Sequence, residues 1–187
     1  MMLKYLDETK LHTKVVTGRK YHYYKCDTEN VEDTSKGDEL KLLWDICFKY
    51  CKYFSLTFCD ALETINYYSE IKKNAITIVQ SNYWPGTGRY GAGLKPYVAI
   101  LPCNERTREL LNSISANLRD FVNCWGLNNP EDPSFYREDG TVFFSSTVHD
   151  CFFDISVEPN ENVSDLFSKR KWTLRENIDY DDLIWIK

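Results

Sequence analysis

Between Ala75 and Arg108 the chain runs through AITIVQSNYW, PGTGRYGAG, LKPYVAILP and CNERTR. That order reads as strand, glycine-rich loop, strand and helix start. The glycines Gly86, Gly88 and Gly91 match G-x-G-x-x-G formally. A dinucleotide fingerprint, however, needs a helix directly after them, so that its N-terminus can hold the pyrophosphate. Here Leu94-Lys95-Pro96 and a β-branched run follow, so a second strand comes next. The match is therefore read as a false positive, and the chain as a whole lacks the strict alternation of a doubly wound parallel sheet.

The rest of the chain extends this pattern. His12 to Cys26 is tyrosine-rich and β-prone, with Thr17-Gly18 as a turn between two short strands, and Asp27 to Gly37 reads as a polar loop. Asp38 is placed to cap a helix carrying Leu40, Leu43, Cys47, Tyr50, Cys51 and Phe54 at helical spacing. That helix collides near Tyr53 with a strand-like alternation of Phe54, Leu56 and Phe58. Asp60 and Glu63 have the spacing of a capping box, and Ala61, Leu62, Ile65, Tyr68 and Ile71 would give the next helix one apolar face.

Ala75 to Tyr83 and Pro96 to Leu101 read as strands. Asn104 caps a helix whose face runs from Leu110 to Trp125 and which Gly126 ends. Asn128 to Pro133 reads as a loop, and Thr141 to Val157 as one or two strands with a break at His149-Asp150. The last thirty residues are less regular, with Leu183 to Ile186 as a closing strand or docked tail.

Strands in clusters with helices between them predict an α+β fold: a mainly antiparallel sheet covered by two or three helices. At 187 residues the expectation is one domain, residues 1–187, with residues 1–37 partly loop and 158–187 less regular. A crossover through the Asp60–Asn74 helix leaves room for one parallel strand pair.

Bulk properties narrow the function. A net charge of −5 argues against nucleic acid, where phosphate neutralisation drives binding. MMLKYLDETK has no secretory apolar core and no run approaches 18 apolar residues, so neither secretion nor a membrane span is expected. Seven cysteines, an odd number with no C-x-x-C pair, fit free thiols in a reducing cytoplasm.

Cys103, between a strand and a helix start, is the sharpest enzymatic candidate, since a helix N-terminus and nearby Arg106 and Arg108 favour a thiolate. A phosphatase-type loop nevertheless needs a later arginine, as in C-x5-R. Glu105 would also repel an anion, and the loop holds no glycine. His149 follows Ser145 and Ser146, but neighbours on a strand point to opposite faces and make no triad. The Gly86–Gly93 loop, with Arg89 and Lys95, has the makings of an anion nest. A kinase-type use fails for lack of V-A-I-K, H-R-D and D-F-G. No metal-site spacing links His12, His22 and His149, and no metal or other cofactor is expected. Cys47 and Cys51, one turn apart, fit the apolar face of their helix better than a metal site.

Acidic clusters at Glu29, Glu32 and Asp33, and at Asp179, Asp181 and Asp182, read first as solvated loop ends, as Lys169-Arg170-Lys171 does in the basic sense. The leading expectation is a cytoplasmic, non-catalytic protein-binding module. Trp84, Arg89 and Tyr90 on the glycine loop are its partner-contact candidates. A small acidic chain rich in aromatics and without a reaction motif suits an immunity or inhibitor-type protein, an argument from class alone. The alternative is a small enzyme acting on an anionic substrate through Cys103 or the Gly86–Gly93 loop.

Overall fold

The computed structural model describes residues 13–15, 21–26, 35–58, 65–81, 83–84, 88–89, 96–122, 128–169, 172–175 and 182–184. The fold is α+β, built on one eight-stranded sheet. Its strands are β2 (His22–Cys26), β3 (Tyr53–Phe58), β4 (Thr77–Gln80), β7 (Tyr97–Pro102), β8 (Glu131–Tyr136), β9 (Val142–Thr147), β10 (Phe152–Val157) and β11 (Trp172–Leu174). They lie in the order β11-β2-β10-β9-β8-β3-β7-β4, and every neighbouring pair is antiparallel. Two short pairs stand outside it: β1 (Thr13–Val15) with β12 (Asp182–Ile184), and β5 (Tyr83–Trp84) with β6 (Gly88–Arg89).

No strand pair in the sheet is parallel, because each helical crossover skips over an antiparallel strand. The connection from β3 to β4 passes β7, and the one from β7 to β8 passes β3. In the first of these, α2 spans Tyr68–Asn74 and starts after a left-handed Tyr67 (φ 63°). The expected capping pair Asp60 and Glu63, with Ala61 and Leu62, lies outside the described residues. The strands β1 and β2 do not form a hairpin: β1 finds β12 near the other end of the chain, while β2 lies between β10 and β11. Leu183 and Ile184 thus belong to a closing strand.

Four α-helices occur among the described residues, one more than the sequence pattern predicts. α1 (Asp38–Tyr50) begins after Gly37, whose φ of 57° and ψ of −128° suit glycine alone, so Asp38 is the first helical residue and not the cap. Its carboxylate still favours the positive end of the helix dipole. The collision near Tyr53 resolves in favour of the strand: α1 ends at Tyr50, and Phe54 belongs to β3.

α3 (Glu105–Ile114) has the expected Asn104 cap, with Thr107 N–H donating to Asn104 Oδ1 at 3.0 Å and Asn104 N–H to Thr107 Oγ1 at 3.2 Å. It stops well before Trp125, at Ser115, where the backbone turns extended. A single 3-10 turn at Leu118–Asp120 then carries the apolar pattern on to Phe121 and Val122. Trp125 and Gly126 lie outside the described residues. α4 (Ser164–Lys169) lies in the segment read as irregular.

The helices form one layer: α2 packs on β7 and α3, α3 on α1, and α1 on α4 and β9. Trp44 of α1 is the centre of the interface. Its ring meets Phe135 of β8 at 5.4 Å, Phe121 edge-on at 5.9 Å and Phe144 of β9 edge-on at 6.3 Å. Phe54 of β3 stacks on Phe135 at 5.3 Å. The other face of the central strands is also buried, at Ser55, Thr57, Val98, Ile100, Ser134 and Tyr136, and β12 lies against β9. Tyr136 and Ser55 satisfy each other there through hydroxyls 2.7 Å apart.

At the end of the sheet where β8 finishes, Arg137 is buried and saturated. Nε and Nη2 donate to the two oxygens of Glu161 at 2.7 and 2.6 Å, Nη2 to Ser156 O at 2.6 Å, and Nη1 to Val142 O at 3.0 Å. The guanidinium also lies 5.3 Å from the Tyr21 ring and 5.2 Å from Phe143. Such a pair adds little over apolar packing, but losing one member strands a buried charge. Glu161→Ala is therefore expected to lower unfolding free energy by about 3–5 kcal/mol in urea titration, and Arg137→Met with Glu161→Leu to recover most of it. Trp44→Ala is expected to cost about 3–5 kcal/mol. Trp44→Phe should cost clearly less, since it deletes an indole N–H that has no partner.

Candidate functional site

The residues singled out in the sequence fall at opposite ends of the sheet. Cys103 follows β7 directly, and its N–H donates to Lys52 O at 2.9 Å where β3 begins. His149 sits in a 3-10 turn, Val148–Asp150, after β9, next to the start of β8. In the ladder Tyr53 pairs with Pro102, whereas Thr57 pairs with Glu131. Four residues of strand, roughly 13 Å, separate the two ends. Cys103 and His149 are not brought into one site.

At the first end, the cysteine has surroundings that suppress reactivity. Burial pushes the Cys103 thiol up to about 12 from an ordinary 9.0, and the positive charges of Arg108 and Lys52 offset this only in part. Cys47 and Cys51, both buried, are pushed well up by burial as well, and each feels the neighbouring Cys103 thiol. Arg108 is turned towards α1. Its Nη1 donates to Asp45 Oδ1 at 3.0 Å and its guanidinium lies 4.9 Å from the Phe48 ring. Arg106 points elsewhere, lining an open cleft of about 410 Å³ between α2 and α3 with Glu70, Lys73, Asn74, Glu109 and Ser113. The helix N-terminus itself is occupied by the Asn104 side chain.

In the glycine-rich segment two short strands are described. Tyr83 pairs with Arg89 and Trp84 with Gly88 across two short strands, and β7 follows, so the strand–loop–strand order holds. Tyr90, Lys95 and the rest of the Gly86–Gly93 segment beyond Gly88 and Arg89 lie outside the described residues, as do Glu29, Glu32, Asp33, Asp179 and Asp181 of the acidic clusters.

The second end holds a cluster that the sequence reading missed. Residues 131–133, read as loop, are the start of β8, a strand between β9 and β3. Pro133 is tolerated in that central position because β8 bulges there: two steps along β3, Ser55 to Thr57, match three along β8, Ser134 to Glu131. Asp132 takes up the irregularity with φ of 49°. The consequence is that Glu131, Asp132 and His149 present ligand atoms all within 4.8 Å of one another. Glu131 and Asp132 are buried, while the His149 side chain is 39% exposed. Val148 N–H donates to Asp132 Oδ1 at 2.7 Å, which fixes that carboxylate against the turn. Ser146, one of the hydroxyls near His149 in sequence, donates to Pro133 O at 2.8 Å and is structural.

A raised thiol links folding to pH. The folded chain keeps the Cys103 proton where the unfolded chain has lost it, so the stabilisation is complete below the unfolded value and fades as pH rises towards 12. Stability is expected to fall above about pH 9, by up to about 1.4 kcal/mol per pH unit for each such thiol. Thermal unfolding from pH 7 to about 10.5 checks this, and Cys103→Ser should give a shallower fall than the wild type. Comparison with protein-family models, with curated proteins and with solved structures gave no match for this chain.

Proposed function

We propose that the chain is a non-catalytic module that docks a protein partner, of the immunity or inhibitor type, in a reducing cytoplasm. The observation that carries this reading is an exposed aromatic on a half-buried, charged face of the sheet. Alternation along β10 turns Phe153, Ile155 and Val157 to the helices, and Tyr24 of β2 meets Phe167 of α4 at 4.4 Å on the same side. Phe152, Asp154, Tyr23, Lys25, Thr173 and Arg175 therefore share the opposite face of the β11-β2-β10 wing. Phe152 is 43% exposed there, with Lys25 Nζ 4.6 Å from its ring centre. An aromatic anchor with charged neighbours is the composition of an interface centre.

Further support comes from the thiols and the charge. The thiols of Cys47, Cys51 and Cys103 form no disulfide, which suits a reducing compartment. Among the described residues, no helix is long and apolar enough to cross a membrane. Net charge of −5 would steer a basic partner at low salt. The strand pair carrying Trp84 and Arg89, with Tyr90 beside it in sequence, supplies a second contact element. The enzymatic alternative at Cys103 draws no support from a half-buried thiol held up to about 12.

Phe152→Ala should cost stability by about 1 kcal/mol at most, because it removes exposed surface and one solvent-facing cation–π contact. It should weaken the partner by about 2 kcal/mol or more. Affinity capture from native cells with wild-type and Phe152→Ala proteins, followed by calorimetry on whatever the wild type retains, measures both. A partner held equally by the two proteins would remove the wing from the interface; a Phe152→Ala protein that unfolds would make the ring structural.

A further inference from the structure

The geometry points to a divalent metal site at the end of the sheet, formed by Glu131, Asp132 and His149, with the Thr57 hydroxyl reaching a water on the ion. Three oxygen- or nitrogen-bearing side chains from two separate segments converge there within 4.8 Å. Around an ion with bonds of about 2.1 Å, neighbouring ligand atoms stand roughly 3–4 Å apart, so small side-chain rotations close the set.

Thr57 supplies the independent indication. Its Oγ1 is fully buried and has no hydrogen-bond partner. It faces Glu131 directly across the β3–β8 ladder, which places the two side chains on one face of the sheet. An unpaired buried hydroxyl costs about 1–3 kcal/mol, so one that faces the buried Glu131 across the ladder calls for a further polar group within its reach. A metal-bound water answers that need by donating to Thr57 Oγ1.

The donor set selects the ion. Two carboxylates and one imidazole suit first-row divalent ions such as Mn²⁺ and Zn²⁺ better than Ca²⁺, which prefers oxygen alone. His149 is open to solvent on one side, which gives the ion a route in. Asp150 Oδ2 lies 3.5 Å from His149 Nε2. With Nδ1 on the ion, that carboxylate would lie beside the second nitrogen, where such a group fixes the tautomer and ring orientation of metal-bound imidazoles. The bulge at Asp132 completes the design by putting consecutive carboxylates on one ion, which a regular strand cannot do because its side chains alternate.

Mn²⁺ is the probe of choice because soft thiolates hold it poorly, so the seven cysteines of the chain do not compete. Chelator-treated, dialysed full-length protein is titrated with Mn²⁺ alone, followed by electron paramagnetic resonance of the free ion and by thermal unfolding. The expected result is one ion per chain, a rise in Tm, and affinity roughly tenfold or more weaker in His149→Ala and in Glu131→Gln. His149→Gln, at the same half-exposed position, repeats the test should the alanine variant lose its fold. Thr57→Val should fold at least as stably as wild type without metal, and bind Mn²⁺ more weakly. No saturable binding up to about 1 mM overturns the site. So does binding that survives intact in both His149→Ala and Glu131→Gln. A Thr57→Val protein with wild-type affinity removes the hydroxyl from the assignment.

Discussion

The packing of Trp44 against Phe135, Phe144 and Phe121 is the constraint on which the other elements rest. α1 has to carry the chain from β2 to β3 across β10, β9 and β8, and side-chain burial is what holds a helix to a sheet at that span. One indole reaches two of the crossed strands and the segment that follows α3, so it ties α1 and the end of the α3 connection to the middle of the sheet. Its N–H goes without a partner in that position. The burial of a ring of that size, worth several kcal/mol, outweighs the loss of a single hydrogen bond.

Both faces of the central strands are buried, and the two ends of those strands hold contrasting sets of polar groups. At one end Arg137, Glu161 and the Cys51 thiol are buried with the half-buried Cys103 nearby, and every one of them is neutralised by a partner or by a raised pKa. That end behaves as a structural clamp. At the other, Glu131, Asp132 and His149 gather, with the unsatisfied Thr57 across the ladder from Glu131. The contrast comes from backbone geometry. Arg137 follows a strand and meets a loop carrying a complementary carboxylate, whereas Asp132 sits where register is lost and carboxylates are pressed together.

Local signals of the sequence survive in the fold where they depend on neighbours in the chain. The Asn104 cap, the strands around Phe54–Phe58 and Tyr97–Leu101, and the break at His149-Asp150 all depend on a few adjacent residues. Pairing is another matter. Thr13–Val15 joins Asp182–Ile184, and His22–Cys26 joins Phe152–Val157, contacts between distant parts of the chain that no local pattern encodes. The early end of α3 shows the same limit from the other side. Leu118, Phe121 and Val122 keep helical spacing and are buried, yet the helix has stopped and a 3-10 turn presents them instead. Periodicity reports which residues are buried more securely than it reports the backbone that buries them.

The strand β8 joins these two observations. Glu-Asp-Pro-Ser reads as a turn because Asp and Pro disfavour strands and Pro lacks a donor for the ladder. In the middle of a sheet that composition is admissible only with a bulge, where one residue drops out of the pairing and proline costs no hydrogen bond. The same irregularity that hides the strand from a pattern reading turns Asp132 into the left-handed region and brings its carboxylate beside that of Glu131. Leucine or valine at those two positions would have given a legible strand and no cluster. A sequence that departs from its local rule inside an otherwise regular, buried element marks a place where chemistry has displaced packing as the constraint. In this chain that departure coincides with the one trio of ligand-bearing side chains, among the described residues, close enough to share an ion.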